Sequence, residues 1–252
     1  QYELAMSVND PPAFYQELML RITSGNSRLV LDEDIRWYKR DILLKYRDRY
    51  NFYFTSDFGV TDATTADDSV ILVWAYSSNG DWYLVDGYVD TGTMDKFIKN
   101  LFRLAHEYRP IGVGIERAGQ QGGFIPWIKE TMITKNLWFQ ISNSHGSTQE
   151  GIRSSKGKLT RFSVVAPWFK LGKVHLPKEW EKSTLVSKLL NQIRLVTTKG
   201  IKGKDDIIDA ISMIGSIEVW KPSEVVPITE AEDNIYQSKH IAIHNSLSSY
   251  IV

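Results

Sequence analysis

Hydrophobic and polar positions change their period along this chain, and each change marks an element. Residues 1–49 read as a mixed, mostly polar lead-in, in which Pro11-Pro12 opens a helical stretch over Ala13–Ile22. A second helical stretch is expected over Asp34–Leu44, carrying Ile35, Tyr38 and Ile42. From Asn51 to Ser56 the chain is aromatic and β-branched, and it stops at Asp57-Phe58-Gly59, which predicts a strand closed by an acid and a turn. Ser69–Tyr76 and Trp82–Val89 follow at hairpin spacing, divided by Ser78-Asn79-Gly80-Asp81.

The period then becomes helical. Thr93–Tyr108 sets Phe97, Ile98, Leu101 and Phe102 on one face, and Pro110 closes it. Ile111–Ile115 is a short buried-type strand running into Glu116; Gly122–Lys135 reads as helix and Trp138–Ile141 as a fifth strand. A polar loop, Ser142–Gly157, precedes three helices expected over Lys158–Leu171, Trp180–Ile193 and Asp206–Trp220. Residues 222–252 lose all periodicity and read as an acidic tail, disordered in part. Three antiparallel strands, then helix-connected strands that pair in parallel, make an α/β order with a mixed sheet. The strands ending in Asp57 and Glu116 then lie side by side with their acids at one sheet edge.

Composition narrows the chemistry. Thirty basic residues balance thirty acidic ones, and there is no cysteine, which excludes disulfide scaffolds and thiolate-ligated zinc. No apolar run approaches the roughly 20 residues of a spanning helix, so no membrane partner is expected. Gly151–Lys158 resembles a phosphate-binding loop, but its glycines are six apart and Leu159 stands where a hydroxyl should hold magnesium. His240 and His244 have no third ligand, and no serine sits in a nucleophile elbow.

The acids are more informative. Asp57 and Glu116 each end a strand, which by itself marks only a return to water. Asp205 and Asp206 suit a helix start as caps and dipole partners. Asp209 is harder to dismiss, because it shares a face with Asp206 one turn into an apolar helix. Converging carboxylates bind hard cations such as Mg²⁺ or Mn²⁺, and a pair of such ions serves phosphodiester hydrolysis. From Gly151 to Lys178 there is no acid, while Arg153, Lys156, Lys158 and Arg161 are basic, as phosphate contacts on DNA require. A solvated basic face is the plainer reading of the same run.

Asp57, Ile115-Glu116-Arg117 and Lys204-Asp-Asp-Ile-Ile-Asp-Ala210 together resemble the acidic motifs of RNase H-like nucleases, above all the nuclease domain of large terminase subunits of tailed bacteriophages. The likeness covers about Tyr50–Val219. Lys158-Leu-Thr-Arg161 resembles the family's basic stretch. The resemblance implies an RNase H-like domain over 50–221 preceded by an ATPase domain outside this chain, with 1–49 as linker helices. It implies a metal-dependent endonuclease that cuts concatemeric viral double-stranded DNA during packaging, in the host cell cytoplasm. The small terminase subunit and the portal protein would be its partners. Asp57, Glu116 and Asp206 would ligate the metal pair with Asp209 assisting; Asp205 is the alternative to Asp206, because the doubled Asp leaves the register open. A Holliday-junction resolvase or transposase of the same fold is the rival enzyme, and a DNA-docking module the rival without chemistry.

Overall fold

The computed structural model describes residues 28–58, 68–117, 124–144, 147–153 and 156–222. Contacts divide the chain into Gln1–Pro222 and Ser223–Val252. The second unit lies outside the described residues, and with it the expected tail; so does the helix expected over Ala13–Ile22.

Seven strands form one mixed sheet. They are β1 (Arg36–Tyr38), β2 (Asn51–Asp57), β3 (Ser69–Tyr76), β4 (Trp82–Asp90), β5 (Gly112–Ile115), β6 (Gln140–Ile141) and β7 (Val174–Pro177), in the order β1-β7-β4-β3-β2-β5-β6. β2, β3 and β4 pair antiparallel, while β5 and β6 add in parallel on one side, and β7 and β1 on the other. β3 is buried from Ser69 through Ala75 because both faces of the sheet are covered. Its odd and even residues therefore serve different cores. Val70, Leu72 and Trp74 face α4 (Lys158–Lys170), α5 (Thr184–Leu195) and α6 (Asp206–Ser212). Ile71, Val73 and Ala75 face α2 (Met94–Tyr108) and α3 (Phe124–Lys135).

Two details explain how closely the helices approach. Gly87 of β4 has no Cβ, and one placed there would meet Ile71 O and Leu185 Cδ2 of α5, each at 2.7 Å. The register between β3 and β4 slips at Val73/Trp74, leaving Val85 as an extra residue. Arg40 Nε donates to the Val85 carbonyl, so the bulge leaves that oxygen satisfied.

The lead-in differs from expectation. Asp34–Leu44 is not one helix: a 3-10 turn at Asp32–Asp34 leads into β1, and only α1 (Arg40–Lys45) is helical. Tertiary pairing overrides the spacing here. Trp37 pairs with Leu176, Tyr38 OH donates to Leu84 O (2.7 Å), and Ile42, expected on the apolar stripe, is half exposed. The last helix is also shorter than expected, passing at Met213 into a 3-10 turn that ends on Gly215, packed against Val164 and Val165. No helix among the described residues is long and apolar enough to cross a membrane.

Candidate active site

The site is assembled by strand register. Ser56 pairs with Ile115 in parallel, so the next residues, Asp57 and Glu116, emerge side by side. Glu116 N–H donates to Ser56 O (3.3 Å), and Glu116 bridges to Ile152, which extends the β5 side of the sheet by one short segment. α6 packs on β2, β3 and α4, and this brings Asp209 over the two strand ends. One carboxylate oxygen from each of Asp57, Glu116 and Asp209 lies within 4.8 Å of the others.

Asp206 is placed differently. Its Oδ2 accepts from the backbone N–H of Asp68 (3.0 Å), tying α6 to the start of β3. Asp68 in turn is buried and accepts from Lys188 Nζ (2.8 Å), with Lys204 Nζ 3.6 Å away. Asp205 begins α6 but makes no capping bond through its side chain, contrary to the expectation of a cap. Its Oδ1 accepts instead from Lys158 Nζ (2.8 Å). The free amides of the helix are met by Gln192 of α5, whose Oε1 accepts from Ile207 N (2.9 Å) and Ile208 N (3.3 Å).

Two of the four basic residues expected at DNA lie against the acids. Arg161 donates from Nη1 to Glu116 Oε1 (3.3 Å) and from Nη2 to Asp209 Oδ1 (2.8 Å), with 12% of its side chain exposed. Lys158, one helical turn earlier, bridges Asp209 Oδ2 (2.9 Å) and Asp205. Arg153 and Lys156 line a cavity of about 220 Å³ with Arg161, Ser144, Ser212 and Ser216. Gln192, Lys188 and the inward turn of Arg161 were not visible in the sequence. The three-residue spacing of Lys158 and Arg161 was its one sign, since it puts both on one helix face.

The electrostatics follow from this crowding. Burial pushes Asp57 well above the usual carboxylate range, and the charges of Glu116, Asp209 and Asp206 push the same way, as does hydrogen bonding with Glu116. Asp209 is also raised, by burial first, although Lys158 and Arg161 pull against it. Burial works against the charge of Lys158, but its bonds to Asp205 and Asp209 outweigh that and hold its proton more tightly than usual. Three converging carboxylates, two of which, Asp57 and Asp209, hold their protons more tightly than usual, offer only oxygen ligands and match a hard divalent cation. The residues present therefore fit Mg²⁺ or Mn²⁺.

Solved terminase structures are similar to this chain. The manganese-soaked, inhibitor-bound terminase nuclease domain of human cytomegalovirus superposes with a TM-score of 0.51 at 14% identity, covering 73% of this chain and 92% of that one. The magnesium-bound large terminase nuclease of thermophilic phage G20c gives 0.44 at 17% identity, covering 66% and 80%. The large terminase of a thermophilic bacteriophage gives 0.47 at 13% identity over 73% of this chain, which spans only 42% of that protein. No curated protein matches in sequence. The sheet order β4-β3-β2-β5-β6 and its helical layers are those of an RNase H-like fold. A family model described as the terminase RNaseH-like domain matches residues 55–216, a span that contains all four candidate acids. The chain belongs to the terminase RNaseH-like domain family.

Proposed function

We propose that this chain is the nuclease domain of a large terminase subunit, a divalent-metal-dependent endonuclease acting on concatemeric viral double-stranded DNA during packaging. The observation that carries the reading is the convergence of Asp57, Glu116 and Asp209 within 4.8 Å, with Asp57 reluctant to ionise unless positive charge is supplied. Asp57, Glu116 and Asp209 would hold a Mg²⁺ or Mn²⁺ pair. Such ions, when bound, supply Lewis-acid charge for phosphodiester hydrolysis.

The chain's own residues do the rest. Asp206 fixes α6 to β3 and so sets where Asp209 points. Gln192 holds the first turn of the same helix. Arg153 and Lys156 face a cavity beside the acids and would take backbone phosphates, which gives binding without base preference. Family membership supports a reading in which the small terminase subunit and the portal protein are its partners and the host cytoplasm its place of action.

The test is direct. Purified chain with supercoiled plasmid should relax and linearise it in Mn²⁺ or Mg²⁺, and EDTA should stop the reaction. A folded chain that binds DNA but never cuts it in either metal would leave a docking module as the better reading. Preference for four-way junctions over linear duplex would move the assignment to a resolvase.

A further inference from the structure

The two cations on α4 stand between two kinds of anion. Arg161 holds Glu116 Oε1 and Asp209 Oδ1 on one side, and on the other lines the cavity shared with Arg153 and Lys156. Lys158 holds Asp209 Oδ2, yet 49% of its side chain is exposed. Every oxygen these cations engage on Glu116 and Asp209 belongs to a carboxylate that a metal ion at the cluster would use. A metal ion beside those oxygens would repel both cations at close range, Arg161 the more strongly because water screens its buried charge less.

We propose that Lys158 and Arg161 are exchangeable counter-ions. Without metal they neutralise Glu116 and Asp209; metal binding displaces them toward the cavity of Arg153 and Lys156, where they take DNA phosphates. Metal and DNA therefore bind with positive coupling, each raising affinity for the other by the same factor. The inference rests on the metal-nuclease reading and adds a route by which metal loading prepares the DNA surface. The alternative is that both cations stay on the carboxylates and only orient them.

Two measurements separate these cases, with circular dichroism confirming that each variant is folded. In calorimetric titration of DNA-free chain with Ca²⁺ and Mn²⁺, Lys158→Gln should bind metal several-fold more tightly than wild type, because a competitor is gone. Unchanged or weaker binding overturns the exchange. In the second measurement, a fluorescent duplex, checked for intactness, is bound across a salt series in Ca²⁺ and in EDTA. The metal-induced steepening of the log–log salt slope should be larger in wild type than in Lys158→Gln by about one, and than in K158Q/R161Q by about two. Equal steepening in all three overturns the proposal. A wild-type chain that binds neither metal would overturn the metal site itself, and that failure differs visibly from metal binding without coupling.

Discussion

Asp57 carries the sharpest expectations at the level of single residues. Asp57→Asn removes a ligand while nearly preserving shape, so it should abolish plasmid cutting and leave the fold intact; Glu116→Gln should do the same. Asp57 also makes stability depend on pH. Its proton is held more tightly in the native state than in the unfolded chain. As pH rises through the ordinary carboxylate range, the unfolded chain loses that proton first and native stability falls, until pH passes the raised native value. Thermal melts in EDTA should therefore show the melting temperature dropping over that window, and Asp57→Asn should flatten the drop; an equally steep variant would count against the crowding of the acids. Asp209 and Asp206 separate in the same way. Asp209→Asn should raise the metal requirement for cleavage in a Mn²⁺ titration. Asp206→Ala should act chiefly on stability, costing about 1–3 kcal/mol, because it strands the buried amide of Asp68.

Among elements, α6 is short, and its start is held from outside. Gln192→Ala leaves Ile207 N and Ile208 N without their acceptor and should cost about 1–2 kcal/mol in denaturant unfolding, with activity regained at lower temperature. Asp205→Ala should cost less, since its side chain does not cap. This also shows what could be read from the sequence. The strands of the sheet centre were legible because β2 and β3 are long apolar runs ended by turn residues. Asp57 and Glu116 were legible as acids closing such runs. β1 and β7 were not, because they pair with each other and β7 with β4, across large sequence separations that no local pattern encodes. Gln192 lies 15 residues from the amide it caps, beyond any rule that inspects a helix's own first turn. Asp206 and Asp209 share one face, and which of them meets the Asp68 N–H is a tertiary contact that their spacing does not encode. Arg161 read as a DNA contact because an acid-free segment looks alike whether its cations face phosphate or a carboxylate cluster.

For the whole molecule, neutral net charge combines with a local basic cavity beside the acids. Binding to DNA should then depend on few phosphate contacts and fall steeply only with those removed. Arg153→Ala/Lys156→Ala should lower affinity alike on unrelated sequences and reduce the salt slope by about two; an unchanged slope would assign both to a solvated face.

The pairing of Ser56 with Ile115 has one more consequence. Side chains alternate across a strand, so a slip of one residue between β2 and β5 would turn Glu116 to the opposite face of the sheet, away from Asp57. A slip of two would keep its face but carry it about 7 Å along the strand, beyond shared coordination. The backbone ladder thus works as a combination lock on the carboxylate cluster. A chain that has not finished folding, or has folded out of step, holds all its acids yet cannot assemble them, so on the proposed nuclease reading it would be inert rather than an indiscriminate cutter.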